Sequence, residues 1–98
     1  MCGATIGGLS LDGVDVDKES IIQGVVTQNG QPVSGAYVRL LDRTGEFTAE
    51  VPTSATGHFR FFAGPGEWTL RTLAPGADVT DRRVVARQGV VAEVDIAL

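Results

Sequence analysis

The 98-residue chain contains one Cys and one His, which excludes an internal disulfide framework and a conventional four-ligand structural zinc site. Its 12 acidic and 8 basic residues leave a formal net charge of −4, without the basic footprint of nucleic-acid-binding proteins. No apolar run is long enough to cross a bilayer, and the first residues lack the basic and apolar regions of a secretory signal. We therefore expect a single cytoplasmic domain with no membrane or nucleic-acid partner and no cofactor. Composition leaves its oligomeric state open.

Residues 1–19 are rich in Gly and Asp and lack a sustained periodicity. Residues 9–12 alternate weakly, while neighbouring glycines interrupt any longer element. We interpret this segment as a mostly irregular N-terminal arm that can lay one short strand on an edge of the body. Its acidic residues do not have the spacing of an EF-hand loop, so we expect a solvated linker and no metal site: Asp12, Asp15, Asp17 and Glu19.

From Ser20 onward, apolar and polar residues alternate with period two, and turn-forming residues interrupt the alternation. This pattern predicts seven short strands, at residues 22–27, 36–42, 46–51, 58–62, 67–72, 82–86 and 90–98. No segment has a helical period. Residues 20–98 are therefore predicted to form an all-β domain, a seven-stranded antiparallel β-sandwich. A small barrel of the OB type is the alternative.

The fourth and fifth strands flank the sequence Ala-Gly-Pro-Gly and are predicted to form a hairpin. Pairing Phe61 with Trp68 and Phe59 with Leu70 places these four side chains on one face. Trp68 also needs a partner for its indole N–H. The alternation predicts two further inward-facing sets: Phe47, Ala49 and Val51 in the third strand, and Val90, Ala92, Val94, Ile96 and Leu98 in the last.

Glycines, prolines and alternate apolar residues between residues 20 and 73 resemble the carboxypeptidase regulatory-like domain, a transthyretin-like β-sandwich. The resemblance rests on Ile22-x-Gly24-x-Val26, Gly30-x-Pro32-Val33-x-Gly35-Ala36, Thr56-Gly57-x-Phe59-x-Phe61 and Pro65-Gly66-x-Trp68-x-Leu70. Members of that family usually have Tyr at the position of Trp68. The resemblance implies the same sandwich fold.

A longer resemblance covers residues 38–42, 46–51, 54–62 and 65–71 together with the opening Met1-Cys2. These segments are similar to the small actinobacterial SseC family, which is largely a domain of unknown function. Its members are encoded near thiosulfate sulfurtransferases. The resemblance implies a place in sulfur metabolism and a thiosulfate sulfurtransferase as partner, but no mechanism.

Cys2 is the only thiol of the chain and lies outside the periodic body. If Met1 is removed, Cys2 becomes the N-terminal residue beside an α-amine, and such neighbours govern thiolate reactivity. Cys2 is therefore a candidate sulfur carrier, in the form of a persulfide. The alternative is an inert residue in the arm.

The remaining chemistry is sparse. His58 is expected on the outer surface near Arg60 and Arg71, without the partner that a general base needs. Arg82, Arg83 and Arg87 form a small basic cluster, read as a solvated strand end or an anion site. A candidate binding patch on one outer face combines arginine and aromatic side chains, a composition typical of interfaces: Tyr37, Arg39, Arg60, Phe62 and Arg71. The alternative is that the arginines pair across strands with Glu46, Glu50 or Glu67 and that the N-terminal arm covers Phe62.

These residues predict no independent enzyme. We expect a non-catalytic accessory or interaction module in sulfur metabolism, with a persulfide carrier acting through Cys2 as the alternative. A sandwich that binds a small ligand or carbohydrate is the third interpretation.

Overall fold

The computed structural model describes residues 3–6 and 19–98, and within these it contains ten strands and no helix. The strands are β1 (Gly3–Ile6), β2 (Ile21–Gln28), β3 (Gln31–Pro32), β4 (Tyr37–Leu41), β5 (Phe47–Pro52), β6 (His58–Phe62), β7 (Gly66–Leu73), β8 (Thr80–Ala86), β9 (Val91–Glu93) and β10 (Ile96–Ala97). The described part of the chain accordingly offers no helix with the length and hydropathy to span a bilayer.

The strands form two sheets that pack face to face. The six-stranded sheet has the order β1-β6-β2-β10, with β3 and β9 also paired to β2, and the four-stranded sheet has the order β5-β4-β7-β8. The side chains between the sheets include Ile22, Val26, Val38, Leu40, Val51, Phe59, Phe61, Leu70 and Ile96. The predicted β-sandwich is therefore confirmed, and its core consists of the alternate apolar residues of both sheets.

The seven predicted strands correspond to β2, β4, β5, β6, β7, β8 and the pair β9 and β10. Most strand pairs are antiparallel, but β9 and β10 run parallel to β2. Before the predicted body, β1 pairs antiparallel with β6, Gly3 opposite Phe62. The weakly alternating residues 9–12 and the acidic run up to Asp17 lie outside the described residues.

The predicted hairpin of β6 with β7 is wrong. β6 pairs with β1 and β2, whereas β7 pairs with β4 and β8, so the connection after Phe62 crosses from one sheet to the other. Phe59, Phe61 and Leu70 are nevertheless all fully buried. The alternation is satisfied equally well by a hairpin or by two strands facing each other across the core, because both place the same parity inward.

Trp68 lies on β7, just after this connection, and is hydrogen-bonded back to it. Its indole Nε1–H donates a hydrogen bond to the carbonyl oxygen of Gly64 at 2.8 Å, which provides the partner that the sequence required. Gly66 has φ of 144°, a conformation that favours glycine at the start of β7.

Two side chains predicted to face inward are exposed. The register between β4 and β5 shifts between Leu40 and Leu41, so that Phe47 lies opposite Leu41 and is 60% exposed. Such a bulge breaks the strict alternation that the prediction assumed. Val90 precedes β9 and is 44% exposed, whereas Ile96 is fully buried.

Candidate functional site

The outer face of the four-stranded sheet carries a row of four charged side chains. In register across β5, β4, β7 and β8 the row is Glu50, Arg39, Arg71 and Asp81. Arg39 Nε donates to Glu50 Oε1 at 3.3 Å, and Arg71 donates from Nε and Nη2 to Asp81 Oδ1 and Oδ2 at 3.0 and 3.1 Å. Arg39 and Arg71 are thus neighbours, and each guanidinium is held by a carboxylate on the outer strand next to it, β5 for Arg39 and β8 for Arg71.

These ion pairs are partly exposed, so that solvent screens them and they contribute little to folding. The hydrogen bonds from Arg71 lower the pKa of Asp81 and raise that of Arg71. The row therefore orients charge on the surface more than it stabilises the fold.

Beside this row, the face becomes apolar. Tyr37 lies opposite Pro52 on one side and Leu73 on the other, and its side chain is 51% exposed. Tyr37, Arg39 and Arg71 thus form a continuous surface, which we call the Tyr37 face. These are three of the five residues predicted for the outer patch.

The other two residues of the predicted patch, Arg60 and Phe62, lie on β6 in the other sheet, so the expectation of one patch is wrong. The reason is the crossing between β6 and β7, which places the outer sides of these strands on opposite faces of the sandwich.

Arg60 belongs to a largely buried polar array of the six-stranded sheet. It is 6% exposed, and its Nε donates to Gln23 Oε1 at 2.9 Å. Gln23 Nε2 in turn donates to Glu93 Oε1 at 2.8 Å. The array links β6, β2 and β9. The sequence did not predict it, because the alternation places the side chain of Gln23 on the outer face of its strand, where a polar residue is expected to contact solvent.

His58 is not near Arg71, contrary to expectation, because the two residues lie in different sheets. Its Nδ1 lies 2.6 Å from Thr56 Oγ1, and its backbone N–H donates to Ser54 Oγ at 3.1 Å. These contacts connect the turn that precedes β6 to His58, the first residue of β6.

A shallow cavity of about 210 Å³ opens next to the charged row. Its lining includes Trp68 and Thr69 from β7, Arg83 from β8, and Arg43 from the turn between β4 and β5. Arg83 is close in sequence to Arg82 and Arg87, with which it was predicted to form a basic cluster. Arg82, however, is opposite Leu70 in the ladder and does not line this cavity. Arg43 was missed because the turn brings it there only in the folded chain.

Cys2, the candidate sulfur carrier, lies outside the described residues. Within the described ranges, no three His, Cys, Asp or Glu side chains are grouped so that they could hold a metal ion.

Solved structures similar to this chain are β-sandwich proteins. The major pilin subunit BcpA of Bacillus cereus matches with a TM-score of 0.71 at 21% identity, over 82% of this chain and 28% of the pilin chain. A dioxygenase domain from Streptomyces sp. SirexAA-E matches with a TM-score of 0.62 at 15% identity, over 96% and 88% of the two chains. A DUF3823 family protein from Parabacteroides merdae matches with a TM-score of 0.61 at 20% identity, over 82% and 45%. At such identities the likeness is one of fold alone.

The sequence relatives are much closer. Two uncharacterized proteins of Mycobacterium tuberculosis are each 59% identical over 76 residues, which is 76% of this chain and 76% of theirs. An uncharacterized protein of Mycolicibacterium smegmatis is 64% identical over 63 residues, 63% of this chain and 70% of its own. Residues 2–98 match the family described as "Protein of unknown function (DUF1416)". The chain therefore belongs to the DUF1416 family.

Proposed function

We propose that this protein is a non-catalytic interaction module that docks on a thiosulfate sulfurtransferase through the Tyr37 face. The observation that carries the proposal is the position of Tyr37, Arg39 and Arg71 side by side on one outer sheet face. The class of partner comes from the sequence resemblance to the SseC family.

The composition of the Tyr37 face suits recognition. Tyr and Arg are enriched among the residues that dominate binding energy, because they combine large contact areas with hydrogen-bonding groups. Glu50 and Asp81 hold the two guanidinium groups in place, so less side-chain entropy is lost when a partner binds. Because the four charges of the row cancel, a partner would recognise it through hydrogen bonds to the remaining guanidinium N–H groups and through apolar contact with Tyr37.

The test is direct binding of the full chain to the sulfurtransferase, measured by titration calorimetry. We expect Tyr37→Ala and Arg71→Ala each to weaken binding about tenfold or more, as hot-spot truncations do. Arg87→Ala is the matched control, because it removes the same charge from an exposed position that follows β8. Docking elsewhere is indicated if the Tyr37 and Arg71 variants bind like the wild type, and absence of binding by the wild type rejects this partner.

The alternative function is a sulfur relay through Cys2, which is favoured by its being the chain's only thiol. In this reaction the Cys2 thiolate attacks the sulfane sulfur of a persulfide on the sulfurtransferase. A sulfur–sulfur bond forms on Cys2, the bond to the donor cysteine breaks, and the donor leaves as a thiolate.

Mass spectrometry distinguishes the two functions. Mixing the protein with the sulfurtransferase and thiosulfate should add one sulfur atom, about 32 Da, to Cys2 if it forms a persulfide. Cys2→Ser should abolish the adduct without changing the calorimetric affinity. If no adduct forms while docking persists, the protein is a docking module only.

A further inference from the structure

The cavity beside the Tyr37 face is lined by more basic than acidic residues, although the protein as a whole is acidic. Arg43 and Arg83 both contribute to its lining, together with one acidic residue, Glu67. The local balance is one positive charge, against a formal net charge of −4 for the chain. A second, separate hollow of about 330 Å³ shares Arg43, Glu67 and Trp68 with this cavity and is lined by Asp42 as well.

Within the described part of the chain, neither Arg43 nor Arg83 has a side-chain hydrogen bond or an ion pair, unlike Arg39 and Arg71 on the same sheet face. Glu67 lines the same cavity and pairs with neither of them. Two guanidinium groups that face one cavity thus keep their donors available to a ligand.

The acidic neighbour of Arg43 is engaged elsewhere. Asp42 Oδ1 accepts hydrogen bonds from Thr44 N at 2.9 Å, Thr44 Oγ1 at 2.6 Å and Glu46 N at 3.0 Å. These bonds keep the pKa of Asp42 below its usual range, so the carboxylate is ionised and committed to its own turn. Arg43 interacts with this carboxylate only through its charge, without a hydrogen bond or an ion pair.

We propose that this cavity binds a small, doubly charged tetrahedral oxyanion between Arg43 and Arg83. A carboxylate carries one negative charge and pairs side-on with one guanidinium, whereas a tetrahedral dianion has the charge and the additional oxygens for two arginines that approach from different elements. Thr69 lies opposite Arg83 in the β7–β8 ladder, also lines the cavity, and has a hydroxyl that can donate. The cavity volume of about 210 Å³ has room for such an ion.

This inference is independent of the proposed docking function. The anion site depends on Arg43 and Arg83, whereas docking depends on Tyr37 and Arg71. Either set of variants can fail its test without affecting the other.

Trp68 provides the experiment, because it lines the cavity and is the only Trp of the chain. Sulfate, thiosulfate and phosphate are titrated separately while the fluorescence of Trp68 is followed at constant ionic strength maintained with chloride. Amide chemical shifts of Thr69 and Arg83 provide a second readout. We expect a saturable change with each divalent anion, and acetate should produce none.

Substitutions of single residues test whether the anion binds at Arg43 and Arg83. Arg43→Gln and Arg83→Gln should each raise the dissociation constant about tenfold or more, since a charge-assisted hydrogen bond is lost. Arg82→Gln is the matched control: it removes the same charge one position away on β8, outside the cavity lining. Glu67→Gln should tighten binding, because it removes a like charge.

Two outcomes overturn the proposal. One is the absence of a saturable response in both readouts. The other is equal weakening by Arg82→Gln and Arg83→Gln, which would show general attraction of anions to a basic strand. Circular dichroism of each variant verifies that a lost response reflects the site and not the fold.

Discussion

Two buried threonines differ in how their hydroxyl groups are satisfied. Thr53 Oγ1 donates to the carbonyl oxygen of Val33 at 2.6 Å and accepts from the N–H of Ala36 at 3.0 Å. Thr72 is fully buried on the inner side of β7, and its Oγ1 has no hydrogen-bond partner among the described residues. An unpartnered hydroxyl in a core loses its hydration without compensation.

Thr72→Val should therefore stabilise the protein by about 1 kcal/mol, because it replaces the hydroxyl with a methyl of similar shape. Thr53→Val, the control, should destabilise by about 1–3 kcal/mol, since it leaves the Ala36 N–H unpaired. Urea unfolding measures both. A loss of stability in Thr72→Val would mean that this hydroxyl has a partner.

At the scale of elements, the crossing between β6 and β7 has the largest consequence. It moves Arg60 and Phe62 away from Arg71 and assigns the two arginines different roles. Arg71 lies on an open face beside Arg39, whereas Arg60 is buried against Gln23. One short connection thus separates the proposed docking surface from the buried polar array.

The parallel strands β9 and β10 depend on a glycine in β2. The backbone N–H of Val94 donates to the carbonyl oxygen of Gln23 at 2.8 Å, and that of Leu98 donates to Thr27 at 2.7 Å. Between these bonds, a Cβ built on Gly24 would overlap the carbonyl oxygen of Val94. Only a residue without a side chain allows the C-terminal segment to lie this close.

Gly24→Ala should destabilise the fold by about 3 kcal/mol, the upper end of the usual cost of overpacking, because backbone and not a flexible side chain occupies the space. Gly45→Ala is the control: Gly45 has φ of 87° and open space around it, so the substitution should cost only about 1–2 kcal/mol of backbone strain. Denaturant unfolding compares them. Equal losses would show that the contact with Val94 imposes no constraint.

At the scale of the whole molecule, acid should weaken the fold through two carboxylates. The pKa of Asp42 is lowered by hydrogen bonds from Thr44 and Glu46, and that of Asp81 by hydrogen bonds from Arg71. A carboxyl whose pKa is lower in the folded state contributes stability above its ordinary value of 3.8. This contribution disappears as the pH falls through the lower, folded-state pKa.

The double variant Asp42→Asn with Asp81→Asn should therefore be less stable than the wild type at pH near 7. The difference should shrink as the pH falls below the ordinary carboxyl pKa of 3.8 and vanish in stronger acid. Urea unfolding across this pH range measures it. Asp95→Asn is the control, an exposed carboxyl outside both contacts, and should follow the wild type. A difference that persists unchanged in acid would mean that the carboxylate charges do not contribute.

The period-two alternation of the sequence by itself determined the fold class, the approximate positions of the seven body strands and most of the core. It does so because side chains of one parity share one face of any strand, whichever neighbour that strand pairs with. The same alternation correctly placed Phe59, Phe61 and Leu70 inside while the assumed hairpin was wrong. At Phe47 the alternation predicted the wrong face, because the register shift between β4 and β5 interrupts it.

Strand partners, parallel pairing and the assembly of the surface were decided only by the tertiary structure. Tyr37, Arg39 and Arg71 meet because β4 and β7 are neighbours, and Arg43 reaches the cavity of Arg83 because a turn brings it there. These contacts join residues far apart in the chain. Their geometry depends on which strands become adjacent, and alternation carries no information about that choice.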